Sequence, residues 1–318
     1  MKTLSIPEVA AFLLQGDRYV ILTHRRPDGD TIGCAAALCG GLRQLDKQAA
    51  ILENPQFTAK FRPYLDGLTV AELPENACVI AVDIASSQLL PYNALELLDR
   101  IELVVDHHGR NDGYAKRGFV DPETAACGEL ILKLLLELKV TVTPRIAEAL
   151  YVAISTDTGC FRYSNTTADT LRAAAYCRDC GADTFAVNQV MFLTRRMARL
   201  RLDAYLTETT QLYADGLVAI SAIPNDVRER LQLTEDDIDD ISGFGREIEG
   251  VGIAAMLKQE GDIGKISVRT SPDYDASAIC ALLGGGGHRA AAGATVPGGI
   301  EGARRAVMDA IARIGVAL

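Results

Sequence analysis

The first half of the chain alternates short runs of apolar residues with longer segments of helical periodicity. The apolar runs are rich in Val, Ile and Ala and cover residues 19–23, 49–52, 78–83 and 102–106. Runs of this length and composition are typical of strands that are buried on both faces of a parallel sheet. Because helix-like segments such as residues 31–45 separate them, the pattern predicts an α/β domain with a doubly wound, mainly parallel sheet.

The second half of the chain has a different order of elements. Strands are expected at residues 217–223, 252–259, 265–270 and 291–296, with a helix from residue 299 onward. The chain is also too long for one ordinary core. We therefore predict a first domain over residues 1–190, a helical linker over residues 191–214, and a smaller α/β domain over residues 215–318.

The composition is that of a folded protein without a membrane segment. Of 318 residues, 48% are hydrophobic and 23% are charged, which is the balance of a globular protein. The N-terminus lacks the apolar stretch of a secretory signal, and charged residues interrupt the apolar segment at residues 130–142. A cytoplasmic location is therefore expected, and the eight cysteines should be reduced and structural.

The net charge restricts the partners. The formal charge is −10, and an acidic surface does not gain the counterion release that long nucleic acids offer to basic proteins. We therefore expect neither a long nucleic acid nor a membrane as a partner. A phosphate ester substrate should be small, with its charge met locally by metal ions and a few arginines.

Histidine usage gives the first indication of chemistry. The chain has four histidines, and each lies beside acidic residues or glycines at a predicted strand end or in a loop. His24, Asp28 and Asp30 follow the first buried strand, and the turn between them contains Pro27 and Gly29. Such a loop can aim several ligands at one point. The alternative is an ordinary aspartate-rich turn that caps the following helix.

Three further segments place polar side chains at strand or helix ends. Asp83 and the Asp106-His107-His108 run each follow a buried strand, and Asp157 follows an apolar helix. A buried carboxylate at position 83 is costly unless it is paired or bound to metal, although it could also cap the next helix. Since consecutive side chains diverge, the economical arrangement makes His107 a ligand, with Asp106 orienting it and His108 facing the substrate. Imidazoles and carboxylates without thiolates suit Mn²⁺, or less tightly Mg²⁺ or Co²⁺.

The order of these motifs, completed by four glycines before His288, resembles that of the DHH phosphoesterase superfamily over nearly the whole chain. Residues 157–167 and the glycine-rich loop resemble the bifunctional oligoribonuclease (nanoRNase) and pAp phosphatase branch. The resemblance implies a catalytic DHH domain joined by a helical linker to a smaller DHH-associated domain that binds substrate.

The resemblance also implies roles for individual residues. One metal ion would be held by His24, Asp28 and Asp83, and the other by Asp30, Asp83, His107 and Asp157. As our own hypothesis, catalytic roles are expected for Asp83, Asp106 and His108. Substrate contacts would come from Arg269, Gly285, Gly286, Gly287, His288 and Arg162. For Arg162 a surface or interdomain salt bridge is an equally good interpretation, and a tetraglycine taken alone is more often a flexible turn.

The implied function is two-metal hydrolysis of phosphodiester and phosphomonoester bonds in very short oligoribonucleotides and in pAp. Within enzymes, the alternative is hydrolysis of the linear dinucleotides left by cyclic dinucleotide turnover. From a different class, the alternative is a non-catalytic regulator that binds nucleotides. The resemblance also allows a homodimer, although no interface signature is visible in the sequence.

Overall fold

A computed structural model describes residues 1–238 and 241–316. The chain divides into two compact units, Met1–Thr194 and Arg195–Leu318. Residues 239–240 and 317–318, which fall in the predicted domain at 215–318, lie outside the described residues. The predicted boundaries at residues 190 and 214 remain predictions.

The first unit is built on one seven-stranded sheet. Its strands are β1 (Lys2–Thr3), β2 (Arg18–Leu22), β3 (Gln48–Leu52), β4 (Thr69–Val70), β5 (Cys78–Val82), β6 (Ile101–Asp106) and β7 (Arg117–Val120). The strand order is β1-β7-β6-β5-β2-β3-β4, and all neighbouring pairs are parallel. The predicted doubly wound parallel sheet is confirmed. The strands β1, β4 and β7 were not predicted, because two to four residues are too few to show a periodicity.

Helices cover both faces of this sheet. They are α1 (Ile6–Gln15), α2 (Gly29–Gln44), α3 (Arg62–Leu65), α4 (Cys127–Glu137), α5 (Pro144–Asp157), α6 (Ala168–Asp179) and α7 (Thr184–Asn188), with 3₁₀ turns at Ser87–Leu89 and Tyr92–Arg100 and a π-helical turn at Gln189–Leu193. On one face of the sheet, alternate strand residues pack in a core against α1, α2, α4 and α5. On the other face, the remaining strand residues pack against the 3₁₀ segment at Tyr92–Arg100.

The direction of strand addition reverses between β2 and β5. From β2 the sheet grows outward through β3 to β4, and the chain then returns so that β5 pairs with the other side of β2. The loops after two such strands diverge to opposite faces, and they leave a crevice at the carboxyl edge where ligands bind in α/β proteins. His24 and Asp83 follow these two strands.

Helices α2 and α5 pack unusually closely. A Cβ atom at Gly33 would lie 2.2 Å from the carbonyl oxygen of Ala149, and one at Gly29 would lie 2.3 Å from Oγ1 of Thr156. Only glycine allows this approach without displacing the neighbouring helix. The close packing brings the N-terminus of α2 beside the C-terminus of α5, where Asp157 lies.

The second unit contains a smaller mixed sheet. Its strands are β8 (Gln211–Tyr213), β9 (Val218–Ile223), β10 (Ile253–Glu260), β11 (Ile263–Thr270), β12 (Gly286–Gly287) and β13 (Ala291–Pro297), in the order β12-β13-β11-β10-β9-β8. Only the β9–β10 pair is parallel among those described. The helices are α8 (Met197–Thr209), α9 (Asn225–Arg230), α10 (Glu235–Ile238), α11 (Ala276–Ala281) and α12 (Gly299–Arg313), with a 3₁₀ turn at Ile241–Glu247.

Helix α8 lies within the predicted linker but packs into the second unit. Its buried residues Leu202 and Leu206 share a hydrophobic cluster with Ile223 and Met256 of the sheet. The four strands predicted for this half of the chain are present as β9, β10, β11 and β13. Within the described part of the chain, no helix combines the length and apolar character that a bilayer span requires.

Candidate metal centre

Four segments of the first unit bring imidazoles and carboxylates together at the carboxyl edge of its sheet. The potential ligand atoms form three overlapping groups, in each of which all atoms lie within 4.8 Å of one another. The groups are His24-Asp28-Asp83, Asp30-His107-Asp157 and Asp83-His107-His108. The structure therefore places all six side chains that were predicted as metal ligands in one cluster.

The loop after β2 supplies the first group. His24 Nε2 lies 3.4 Å from Asp28 Oδ1 and 3.8 Å from Asp83 Oδ2. The Nδ1 atom of His24 is 2.8 Å from the carbonyl oxygen of Arg25, and since a carbonyl only accepts, Nδ1 must carry the proton. The lone pair of the neutral ring is then on Nε2 and faces the carboxylates. Asp28 also accepts the backbone N–H groups of Asp30 and Thr31 at 3.0 and 3.2 Å, so the alternative prediction of a helix cap holds as well.

Asp83 occupies the centre of the cluster in a strained conformation. It follows β5 with φ = 57°, in the left-handed region where Asp is tolerated better than most residues. Its backbone N–H still donates to the carbonyl of Val105 at 2.8 Å, so the turn begins only after the last sheet hydrogen bond. The next turn is capped by Ser86, which rules out the predicted alternative of Asp83 as a helix cap. The Asp83 side chain is 3% exposed, and its Oδ1 atom has no hydrogen-bond partner.

Asp30 is held by the beginning of α4. Its Oδ2 atom accepts the Cys127 N–H at 2.7 Å, and its Oδ1 atom accepts the Gly128 N–H at 2.9 Å and the Cys34 thiol at 3.2 Å. These unpaired helix N–H groups stabilise an anion. Asp30 Oδ2 also lies 3.7 Å from His107 Nε2, so one face of the carboxylate remains directed at the cluster.

His107 connects the two sides of the cluster. Its Nε2 atom lies 3.5 Å from Asp83 Oδ1 and 3.5 Å from Asp157 Oδ2. Its Nδ1 atom lies 3.1 Å from the carbonyl oxygen of Thr124, which again requires the proton on Nδ1 and leaves the Nε2 lone pair facing three carboxylates. Asp83 and Asp157 therefore face a common space.

Asp106 organises the loop after β6. Its Oδ1 atom accepts the N–H groups of His107 and His108 at 2.8 and 3.2 Å, and lies 2.8 Å from Nδ1 of His108. Its Oδ2 atom accepts the amide of Asn111 at 2.7 Å. The predicted orienting contact is thus made to the His108 side chain, while His107 is oriented by Thr124. Nδ1 of His108 is already hydrogen-bonded to Asp106. A cation held by Asp83, His107 and Nδ1 of His108 would therefore have to displace this hydrogen bond.

The geometry and the donor set fit divalent cations. The His–carboxylate separations of 3.4–3.8 Å exceed normal hydrogen-bond lengths. They are close to the separation of about 3.0–3.5 Å expected for two ligands bound about 2.1 Å from one ion. The buried Asp83 Oδ1 atom without a partner is a position that a cation would satisfy.

Burial and mutual repulsion perturb these carboxylates. Burial, followed by the charges of Asp30 and Asp28, raises the pKa of Asp83 well above its usual range. Burial and then the charge of Asp157 raise the pKa of Asp30 in the same way. For Asp106 burial alone would raise the pKa, but the hydrogen bond and charge of His108 lower it below the usual value. The cluster therefore has excess negative charge that cations would neutralise.

Thr31 and Asn111, which no sequence motif singled out, hold loops of the cluster together. The Thr31 hydroxyl donates to the carbonyl of Val82 at 2.9 Å and accepts the His24 N–H at 3.3 Å, so it ties the loop after β2 to the end of β5. Asn111 ties Asp106 to the carbonyl of Ile84 at 3.2 Å. The polar residues that follow His107 and His108 could have indicated a role for Asn111 in this loop. Nothing in the sequence distinguished Thr31 from any threonine in the first turn of a helix.

The glycine-rich loop of the second unit leads into a hairpin. The N–H of Gly285 donates to the carbonyl of Cys280 at 2.9 Å, at the end of α11, and the N–H of His288 donates to Ala291 at 2.8 Å. Both N–H groups are thus used in hydrogen bonds within the protein. The structure therefore gives no support to a contact between the Gly285 N–H and a phosphate. His288 is exposed at the hairpin turn, and Arg269 lies on β11 opposite Ala291, so both residues lie at the same end of this sheet.

Arg162 does not form part of the cluster. It is exposed, and its Nε atom donates to the carbonyl of Gly159 at 2.7 Å. It therefore braces the turn that follows Asp157. No salt bridge of Arg162 is found among the described residues of this turn, and its predicted phosphate contact remains a prediction.

Comparison with known families and proteins identifies the fold. Residues 18–154 match the N-terminal domain of the DHH family, and residues 217–314 match the DHHA1 domain. A Thermus thermophilus protein named bifunctional oligoribonuclease and PAP phosphatase NrnA is 32% identical over 92% of this chain and 88% of its own length. The chain belongs to the DHH family. DHH proteins are metal-dependent phosphoesterases, and the predicted resemblance is confirmed.

Other DHH relatives and structures agree with this assignment. A Bacillus subtilis protein with the same name is 25% identical over 93% of each chain. The crystal structure of an exopolyphosphatase-related protein from Bacteroides fragilis superposes with a TM-score of 0.88 at 20% identity, covering 97% of this chain and 96% of the other. The exonuclease RecJ bound to manganese has a TM-score of 0.53 at 16% identity, with coverage of 100% and 96%. These structures establish the shared fold.

Proposed function

We propose that this DHH protein hydrolyses phosphate esters of very short oligoribonucleotides and the 3′-phosphate of pAp. The observation that carries the proposal is the position of Asp83. The Nε2 atoms of His24 and His107 approach different oxygens of this one buried carboxylate. A carboxylate shared between two such groups suits a two-metal phosphoesterase.

The two proposed ligand sets are those that the DHH resemblance implies, and the groups of neighbouring ligand atoms support them. One cation would be held by His24, Asp28 and Asp83, and the other by Asp30, Asp83, His107 and Asp157. The set contains imidazole nitrogens and carboxylate oxygens but no thiolate, which suits Mn²⁺ better than a structural zinc. When bound, the two cations would acidify a water molecule and neutralise charge on the phosphoryl oxygens.

The protein's own contribution is orientation and proton handling. Asp106, with Asn111 behind it, fixes the His108 ring through Nδ1. This leaves Nε2 of His108, whose side chain is 34% exposed, to contact the substrate. We assign His108 to contacting the phosphoryl or leaving oxygen and Asp106 to positioning it. Arg269 and His288 of the DHHA1 domain are the proposed contacts to the substrate phosphate or nucleoside.

The relatives support this substrate class. The Thermus thermophilus and Bacillus subtilis relatives are both named for oligoribonuclease and PAP phosphatase activity. Proteins named cyclic-di-AMP phosphodiesterase, GdpP from Geobacillus thermodenitrificans and PdeA from Listeria monocytogenes, are 25% and 27% identical, but this chain covers only 44% of each. Short oligoribonucleotides are therefore favoured over linear dinucleotides from cyclic dinucleotide turnover.

A substrate panel tests the proposal. The purified protein is incubated with Mn²⁺, Mg²⁺ or Co²⁺ and with pAp, a diribonucleotide, a longer RNA strand or pyrophosphate, and released phosphate and mononucleotide are measured. We expect turnover of pAp and the diribonucleotide, little of the longer strand, and loss of both activities in Asp83→Asn. Nucleotide binding without turnover under any metal would support the regulator alternative instead. Preferential hydrolysis of the longer strand or pyrophosphate would contradict the proposed substrate class.

A further inference from the structure

A five-residue segment before and within the first turn of α4, residues 124–128, contacts two members of the Asp30-His107-Asp157 group directly. The carbonyl of Thr124 accepts the Nδ1–H of His107 at 3.1 Å. The N–H groups of Cys127 and Gly128 donate to Asp30 at 2.7 and 2.9 Å. Both contacts use backbone atoms, so their geometry depends on the path of this segment.

Asn165 connects the third member of the group to the same segment. Its side-chain amide donates one hydrogen bond to the carbonyl of Ala125 at 3.2 Å and another to the carbonyl of Asp157 at 3.1 Å. A single NH₂ group has two hydrogens, so one side chain can satisfy both acceptors at once. The C-terminus of α5, which bears the Asp157 carboxylate, is thereby tied to the segment that holds Asp30 and His107.

The chain between Asp157 and Asn165 adopts a conformation that needs such a restraint. Gly159, Cys160 and Phe161 have consecutive φ values of 55°, 57° and 64°. Left-handed residues normally occur singly, and non-glycine residues are strained in this region. Strained backbone of this kind persists where surrounding contacts determine it.

The other ligand group is held by different parts of the chain. His24 is oriented by the carbonyl of Arg25, and Asp28 accepts hydrogen bonds from the first turn of its own helix. Among the described residues, no hydrogen bond joins Asn165 or residues 124–128 to His24 or Asp28. A change at Asn165 should therefore disturb one metal site and spare the other.

We propose that Asn165 is a positioning residue that fixes Asp157 against Asp30 and His107, so that this metal site is formed before the cation arrives. The inference rests on the ligand assignment under the proposed function. Preorganisation by residues that contact ligands rather than the metal contributes directly to metal affinity.

Calorimetric titration of metal-free protein with Mn²⁺ tests this role. The variants are Asn165→Asp, which keeps the shape but replaces the donor with an acceptor, and Asn165→Ala, which removes the group. The matched control is Asn188→Ala. Asn188 also contacts this turn, since its Oδ1 atom lies 3.8 Å from the Cys160 thiol, and it accepts the Tyr151 hydroxyl at 3.2 Å.

We expect the wild type to bind two Mn²⁺ ions, and both Asn165 variants to weaken one of them about 10- to 100-fold while the other stays within about twofold. The control should leave both affinities unchanged. Equal weakening of both sites, or no weakening in either variant, would overturn the inference. A wild type that binds no Mn²⁺ would remove the ligand assignment itself. Two bound ions without turnover of any nucleotide would count against the proposed function only.

Discussion

The substitution Asp83→Asn should make the metal-free protein more stable and the metal-loaded protein less stable. In the absence of a cation, Asp83 is a buried carboxylate with one oxygen lacking a hydrogen-bond partner. Burial and the charges of Asp30 and Asp28 raise its pKa, which means that its ionised form destabilises the fold. Asparagine removes the charge, keeps the shape, and tolerates the left-handed backbone at this position.

The size of the effect follows from the cost of the unpaired group. A buried polar group without a partner costs about 1–3 kcal/mol, and relief of about 2 kcal/mol should raise the melting temperature of a unit of this size by about 4–8 °C. Metal binding acts in the opposite direction. One site at a metal concentration of about 100 times its Kd stabilises the wild type by about 2.7 kcal/mol, and the variant should gain much less because it lacks the shared ligand.

Scanning calorimetry with and without Mn²⁺ measures both effects. Asp106→Asn is the control, since Asp106 is equally buried at the same sheet edge but accepts hydrogen bonds from His107, His108 and Asn111. Its replacement should lower the melting temperature of the metal-free protein. The reasoning fails if Asp83→Asn also lowers that temperature, or if Mn²⁺ stabilises the wild type and Asp83→Asn equally.

Four other substitutions test the packing, the backbone strain and the buried charge around the centre. Gly33→Ala should cost about 1–3 kcal/mol by overpacking, whereas Gly40→Ala, on the same helix with its nearest contact at 3.2 Å, should be neutral or gain up to about 1 kcal/mol; urea unfolding compares them. Cys160→Gly should stabilise by about 1 kcal/mol in the same assay, because it relieves a left-handed residue. Burial raises the pKa of Glu129, so its contribution to stability declines as pH rises from the unfolded to the folded pKa. Glu129→Gln should therefore raise the melting temperature at about pH 8 but give no such gain at about pH 4.

The sequence identified the centre because its chemistry coincides with strand ends. Apolar runs that stop at a His or Asp are visible without any structure, and parallel strands bring their carboxyl ends to one edge. His24, Asp83 and His107 could be grouped for this reason. The DHH resemblance then divided the ligands into two sets, and the structure brings the potential ligand atoms of both sets into overlapping groups.

What escaped prediction depends on backbone geometry that side-chain patterns do not encode. The left-handed conformation of Asp83 is a property of the backbone. The N–H donors to Asp30 belong to a segment that is close in space but distant in the chain. Asn165 lies in the stretch 157–167 that carries the family resemblance, but its role could not be predicted because its partners are backbone carbonyls, which are identical at every residue. Backbone geometry also determines the role of Gly285. Glycine at this position permits close packing, and its N–H donates to a carbonyl of the fold rather than being left for a ligand.

The contrast between Asp83 and Asp106 explains how the fold can keep so much negative charge in one place. The positioning carboxylate Asp106 is satisfied by the protein through its own loop. Asp30 is also anchored by backbone N–H groups, yet it keeps one face toward His107. Among the described carboxylates of this cluster, Asp83 is the one left with a buried oxygen that lacks a hydrogen-bond partner. A buried charge is tolerated only when something compensates it. The unsatisfied Oδ1 atom faces Nε2 of His107, and the other oxygen of the same carboxylate faces Nε2 of His24. This position of Asp83 is the strongest structural argument that cations complete the site.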